Sequence, residues 1–286
     1  NMDRVIKIIK VVSKSILLTA KYLFLCFFSK KKLNDSESVF IVSLTTYGNR
    51  LNFVFLTIES ILQQKYKPRR VLLWLYEKDK SSFLGKYFLK KQISRGLEVI
   101  YLKEDFRSFK KLSYVYQHNY MSDYFVTADD DVFYPYTWLS GFKDAIDINP
   151  HAVYCYRGRI ISMDSKKELK PYHEWSLATK KNLSGNLLLP TGVSGICYPR
   201  KALGEKINDF SAISKYCPFA DDIWYKMVTT SNGYISLLVT EQSEHFTPII
   251  TGFAKGLEKI KVYQDKNTEQ FKSSLKYFNL SLLDFQ

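Results

Sequence analysis

Beyond residue 38 the apolar positions fall into short runs that switch between strand-like and helix-like spacing. Val39 to Leu44 is a nearly continuous apolar run, the kind buried on both faces of a sheet. Thr45 to Arg50 reads as a turn, and Asn52 stands in a capping position before a predicted helix over 53–64. In that helix Val54, Ile58, Ile61 and Leu62 recur at helical spacing. Pro68 closes the unit. A second strand over 70–76, a helix over 83–93, a third strand over 97–102 and a helix over about 110–119 follow, then an apolar strand ending at Asp129. Repetition of strand and helix predicts an α/β chain with a mostly parallel, Rossmann-like sheet flanked by helices on both faces. Such sheets bind ligands outside the carboxyl ends of their strands. The loops 45–50, 104–111 and 129–131 are therefore expected to converge on one crevice. Without internal repeats or a low-complexity linker, residues 38–250 read as one domain, and the more polar residues 251–286, with a helical stretch over 268–283, as a C-terminal helical tail.

Residues 1–33 follow a different pattern. At about 100° per residue, Lys7, Lys10, Lys14 and Lys21 fall within an arc of roughly 60°, with Val5, Ile9, Val12, Ile16 and Leu23 opposite. The apolar stretch from Ile16 to Phe28 would span only about 20 Å at 1.5 Å per residue, against about 30 Å of bilayer hydrocarbon. Lys21 interrupts it, and Ser29-Lys30-Lys31-Lys32 follows it in place of a small-residue cleavage site. The favoured reading is a basic amphipathic helix lying on an anionic membrane surface through residues 4–32, at a cytoplasmic face, with Phe24, Phe27 and Phe28 in the acyl chains. A spanning helix and a helix packed on the protein's own body are the competing readings.

Charge sharpens this division. The chain of 286 residues carries a net charge of +14, and eight basic residues against Asp3 put half of that excess in the first 33 positions. A nucleic-acid partner is not expected, because the charge sits on a helix suited to lipid and no recognised binding motif is present. Cys26, Cys155, Cys197 and Cys217 lack paired metal or redox spacing and read as small core residues. The 21 Tyr and 20 Phe suit a carbohydrate-facing surface and an aromatic core equally well.

The chemistry concentrates where the fourth strand ends. Tyr124-Phe-Val-Thr-Ala-Asp129-Asp130-Asp131-Val-Phe places three adjacent carboxylates at the mouth of an apolar core. Their mutual repulsion calls for basic side chains or a divalent cation, and Mg²⁺ or Mn²⁺ shared with a substrate diphosphate meets that demand.

These residues resemble the Asp-x-Asp site of glycosyltransferases of the GT-A fold. Two further segments narrow the likeness. Asp105-Phe-Arg-Ser-Phe-Lys110-Lys111-Leu-Ser followed by Val-Thr-Ala-Asp129-Asp130-Asp131-Val-Phe is similar to the beta-1,3-galactosyltransferase pattern, with Ser108-Phe109-Lys110 in place of Asn-Leu-Thr. Pro190-Thr-Gly192-Val-Ser-Gly195 and Phe219-Ala-Asp221-Asp222-Ile-Trp224 are similar to that group's glycine-rich acceptor loop and its Glu-Asp-Val motif, with Asp221 where Glu is usual. The overall pattern over 39–250 resembles bacterial enzymes that build capsule, O-antigen or lipooligosaccharide chains.

The resemblance implies roles. Asp131 would bind the metal, with Asp129 and Asp130 dividing ribose contact and metal-bound water between them, and His245 as a third protein ligand. Thr46, Tyr47, Arg50, Asp105 and Lys111 would face the nucleotide sugar, Tyr47 stacking on the base. Asp222 would be the general base, although Asp221-Asp222 also suits an ordinary helix cap. Asp221, Gly192, Gly195, Trp175 and Trp224 would face the acceptor. Arg157 and Arg159 either reach an anion or pair with Glu174. The reading is a metal-dependent inverting transferase moving a hexose from a UDP-sugar, UDP-galactose or a relative, to a lipid-linked saccharide. A retaining or GDP-sugar enzyme on the same fold, and a glycan-binding protein without activity, are the alternatives.

Overall fold

A computed structural model describes the whole chain except residues 1, 34–36, 81 and 251–252, and the side chains of Arg4 and of residues 253–265 also lie outside the description. The strands are β1 (Phe40–Thr45), β2 (Arg70–Tyr76), β3 (Leu97–Leu102), β4 (Tyr124–Ala128), β5 (Ala152–Cys155), β6 (Gly158–Ile160), β7 (Leu188–Pro190), β8 (Ile196–Pro199) and β9 (Ile235–Leu238). The helices are α1 (Met2–Phe28), α2 (Val54–Leu62), α3 (Phe83–Ile93), α4 (Ser113–Gln117), α5 (Trp138–Ile148), α6 (Phe210–Tyr216), α7 (Asp221–Ser231) and α8 (Phe253–Phe278). One seven-stranded sheet runs in the order β3-β2-β1-β4-β8-β5-β9, and β6 and β7 form a separate antiparallel pair.

β1 to β4 are parallel, as the repeating pattern predicts. β8 then enters antiparallel between β4 and β5, while β9 returns parallel to β5. Side chains alternate across the sheet: Phe40, Val42 and Leu44 face one core with α2 and α5, whereas Ile41 faces the other with Trp74, Phe125 and Trp224. Each such fully buried side chain contributes about 1.5–3 kcal/mol. The terminal segments join these cores, Tyr22 and Cys26 on one side and Phe271, Phe278 and Phe285 on the other.

Two local expectations change. Asn52 does not cap α2; it ends a 3-10 turn, and its Oδ1 accepts from the Ser82 amide at 2.6 Å. The helix expected over 110–119 is a 3-10 turn over Arg107–Lys111 followed by the five residues of α4. All four cysteines are buried and free.

The N-terminal helix has three sides where the wheel suggested two. Ser15, Tyr22 and Cys26 face the body: Ser15 Oγ donates to the Pro248 carbonyl at 2.7 Å, and Tyr22 stacks on Phe133 at 5.4 Å. Below Cys26 lies a buried ion pair, Glu59 in α2 with Arg95 at 2.7 Å, which also takes Gln92 and Gln63 as hydrogen-bond donors. Lys7, Lys10, Lys14 and Lys21 stay exposed on a second side. The third side is bare and apolar, with Ile9, Ile16, Leu17, Phe24 and Phe28 all more than half exposed. The expectation that the apolar stretch is too short to cross a bilayer is corrected: Val5–Phe28 forms 24 residues of continuous helix, long and apolar enough by length and composition.

Candidate active site

Site residues meet at the carboxyl ends of β1 and β4, from the segments after β1, β3, β4 and β7 and from the start of α7. After β4, the turn carrying the three acids is fixed from both sides. Thr57 Oγ1 donates to the carbonyls of Asp130 and Val132 at 3.0 and 2.9 Å, and the Tyr134 hydroxyl accepts from the Asp129 amide at 2.8 Å. The Ile249 amide donates to the Asp131 carbonyl at 2.8 Å, tying the 247–249 segment to this turn. The acids thus diverge.

Asp130 turns inward, accepting from Thr46 Oγ1 at 2.5 Å and from Arg50 at 2.8 Å. Arg50 also pairs with Asp131 at 3.1 Å. Tyr47 remains half exposed, with the Arg50 guanidinium 5.5 Å from its ring centre. Asp129 turns the other way, to Lys111 Nζ at 3.0 Å.

Lys111 is the hub. Its buried ammonium lies 3.0 Å from Asp129 and 3.1 Å from Asp221. Burial opposes its charge, but Asp129, Asp221 and Asp222 together hold its pKa well above the ordinary value. The two acids that open α7 do not cap it. Ala220 is the N-cap; Asp221 accepts from Ser108 Oγ at 2.9 Å, and Asp222 Oδ2 accepts from the Gly192 amide at 3.0 Å. Burial and the neighbouring Asp221 push Asp222 up to about 7, with Lys111 opposing. Its Oδ1 is buried and accepts no hydrogen bond among the described residues. Gly192 lets the backbone approach: a Cβ there would stand 3.0 Å from Lys111 Nζ, 3.2 Å from Asp222 Oδ1 and 3.5 Å from Asp129 Oδ1. Gly195, at φ 86°, sits against the Trp138 ring, where any side chain would collide.

Several expected members stand elsewhere. Trp175 and Trp224 are 1% and 0% exposed, and their indole N–H groups donate to the Lys170 and Lys206 carbonyls. Both are core anchors packed on Phe271 and Phe278, with no free face for a sugar. Asp105 is bound within its own loop, to Lys110 and the Arg107 amide, and stays out of the carboxylate cluster. Neither Arg157 nor Arg159 forms an ion pair with Glu174 among the described residues; Arg157 donates to Thr191 Oγ1 at 2.7 Å instead. Thr57, Tyr134 and Ser108 are positioning residues that spacing alone does not single out.

No three His, Cys, Asp or Glu side chains among the described residues gather into a metal cage. The expected set of Asp129, Asp131 and His245 is thus not assembled by the protein alone, because Asp129 is drawn to Lys111 and Asp131 to Arg50. The donor set nonetheless fits a cation. Burial, reinforced by Asp130 and Asp129, pushes Asp131 up to about 6 despite Arg50, so the turn is short of positive charge. Oxygen ligands, one or two carboxylates completed by phosphates, suit Mg²⁺ or Mn²⁺. Burial holds the His245 imidazole below its ordinary pKa, with Arg157 adding to that and Asp129 opposing it.

No protein-family model and no curated protein matches the chain. Solved structures do. The mannosyltransferase PcManGT from Pyrobaculum calidifontis, in complex with GDP-Man and Mn²⁺, superposes with a TM-score of 0.52 at 12% identity, over 93% of this chain and 76% of that one. TarS residues 1–349 from S. aureus, in complex with UDP, gives 0.49 at 14% identity, over 73% and 59%. GalNAc-T7 with UDP, GalNAc and Mn²⁺ gives 0.48 at 10% identity, over 72% and 43%. At 12% identity the likeness to PcManGT is one of fold: the chain has a GT-A-like fold, a mostly parallel sheet flanked by helices, with an apolar N-terminal helix besides.

Proposed function

We propose that this protein is a metal-dependent, inverting glycosyltransferase that moves a hexose from a nucleotide-diphosphate sugar to a saccharide acceptor. The carrying observation is the meeting of Asp129 and Asp221-Asp222 on one buried ammonium, Lys111. That arrangement joins a cation-seeking side to a base-bearing side across a glycine. Asp129 and Asp131 would hold the metal together with donor phosphates, His245 lying on the same side. Bound there, Mn²⁺ or Mg²⁺ would supply charge neutralisation to the departing diphosphate.

The protein's own residues account for the other half. Asp222 Oδ1, buried and without a donor, is placed to take the proton of an acceptor hydroxyl. The Gly192 amide fixes the carboxylate through Oδ2 and leaves Oδ1 for that proton. Lys111 holds Asp129 and Asp221 in register and favours ionised Asp222. Attack from the base side of the sugar inverts the anomeric centre.

The finer reading is a UDP-hexose donor, UDP-galactose or a relative, and a lipid-linked acceptor for capsule, O-antigen or lipooligosaccharide at the cytoplasmic face of a bacterial inner membrane. Motif resemblance supports the donor. The bare apolar side of α1 beside its exposed lysines supports an anionic membrane surface. Packing of Ser15, Tyr22 and Cys26 on the body supports a helix lying in the interface over one that spans.

The test is nucleotide diphosphate release from UDP- and GDP-sugars, with and without Mn²⁺, for wild type, Asp131→Ala and Asp222→Ala. Metal-dependent release from one donor, with transfer lost in both variants, is the expected result. Release from no donor and no metal-dependent donor binding would overturn the proposal.

A further inference from the structure

Two arginines on the base side of the crevice are not used by the reading above. Thr191 and Gly192 follow β7, and the Thr191 amide donates to the Arg157 carbonyl at 2.9 Å, extending the β6–β7 ladder. Arg157 and Arg159 are two residues apart on this extended segment, so their side chains leave the same face. Arg157 donates to Thr191 Oγ1 at 2.7 Å, one residue from the Gly192 amide that holds Asp222. Arg159 donates to the Trp175 carbonyl at 2.5 Å, and its guanidinium lies 5.4 Å from the Tyr172 ring centre.

Neither guanidinium has a carboxylate in ion-pair contact among the described residues. Arg50, Arg70 and Arg95 each have one, whereas half-buried Arg200 has the Tyr120 carbonyl and Asn119 and stands alone; Arg157 and Arg159 are a pair. Burial and the like charge of Arg159 both work against the Arg157 cation. Two half-buried forks close enough to repel one another, with neutral hydrogen-bond partners only, suit a planar anion.

Resting on the transferase reading, we infer that the acceptor carries an anionic group, a carboxylate or a phosphate, which Arg157 and Arg159 clamp while its hydroxyl faces Asp222. The acceptor is favoured over the donor as the source because the pair sits on the Asp222 side, while Arg50 and Lys111 serve the Asp129–Asp131 side. The anion would position the acceptor; Asp222 remains the group that takes the proton.

The test uses the full chain with UDP and Mn²⁺, and matched probes: aryl glucuronide against aryl glucoside, aryl galacturonide against aryl galactoside, and hexose 6-phosphate against hexose. Binding is followed by saturation-transfer NMR at 0.15 M salt or above, where the Debye length of about 8 Å suppresses nonspecific attraction to a chain of +14. At least one anionic probe is expected to bind about tenfold or more tighter than its neutral partner, the worth of one charge-assisted hydrogen bond. Preference for uronides or for phosphates identifies the source. Arg157→Gln with Arg159→Gln is expected to bring the ratio towards one, with Arg159→Lys in between. Equal binding of each pair, no binding of any anionic probe, or a preference that survives the double variant would each overturn the inference. So would a variant effect confined to donor affinity. Donor-only nucleotide release reports the transferase reading separately, so the two can fail independently.

Discussion

Gly192→Ala isolates the crevice from the fold. The native residue does not have a positive φ, so alanine fits the backbone and gains about 0.4–1 kcal/mol from the unfolded chain. Its methyl, however, would lie 3.0 Å from Lys111 Nζ and 3.2 Å from Asp222 Oδ1, where ordinary contacts begin at 3.4 Å. Lys111 must retreat by about 0.4 Å, and crowding of this order costs about 1–3 kcal/mol. The net loss is at most about 2–3 kcal/mol, a melting shift of up to about 5 °C for a chain of this size. The effect on turnover is far larger, because the methyl covers the one Asp222 oxygen that lacks a donor. An acceptor hydroxyl bonded to that oxygen would have to give way to the methyl, and a misplacement of about 1 Å at reacting groups costs about 100-fold. Initial rates of nucleotide release with acceptor, read beside a thermal melt, separate the two effects. A kcat within threefold of wild type would refute the assignment of transfer to this crevice, and a melting shift well beyond about 5 °C would show that the glycine serves the fold.

Three further outcomes are expected. As the proposed base, Asp222 would have to be ionised, so activity should rise with pH through about 7, and Lys111→Met should move that rise to higher pH because Lys111 opposes the upward push; a rise that stays in place in the variant would exclude the coupling. Burial pushes Glu59 up, but Arg95, Gln63 and Gln92 outweigh it and hold the carboxyl below its usual 4.5, so its stabilisation is present above 4.5 and lost as pH falls through the lower folded value. Arg95→Met, which strands that buried carboxylate, should cost about 3–5 kcal/mol in urea unfolding at pH 7, and a loss under 1 kcal/mol would contradict the pairing. Lys7, Lys10 and Lys14 changed together to Glu should abolish sedimentation with phosphatidylglycerol-containing vesicles, since each lysine near an anionic surface is worth about 1 kcal/mol; undiminished sedimentation would remove the lysines from the interaction.

What could be read from the chain depended on whether a signal was local. Periodicity marks β1 to β4 because each strand is a compact apolar run with its helix beside it, and parallel pairing follows. The antiparallel entry of β8 depends on residues about seventy positions beyond β4, and nothing in Ile196–Pro199 itself encodes its orientation. Asp129, Asp221 and Asp222 were visible as motifs, but that one ammonium joins them is a matter of tertiary distance. Trp175 and Trp224 show the limit most plainly: an indole suits a sugar face and a core equally, and α8, far along the chain, decides for the core. The helical wheel of α1 resolved its lysines, yet the side held by Ser15, Tyr22 and Cys26 is neither strongly apolar nor charged, so hydropathy could not separate it.

The segment 247–249 is gripped from both directions: the Pro248 carbonyl accepts from Ser15 in α1, and the Ile249 amide donates to the Asp131 carbonyl. A single peptide unit, between Pro248 and Ile249, thus links the N-terminal helix to the acidic turn. On the proposed membrane association, a surface that takes up the bare side of α1 is joined through that one peptide unit to the turn that carries the acids.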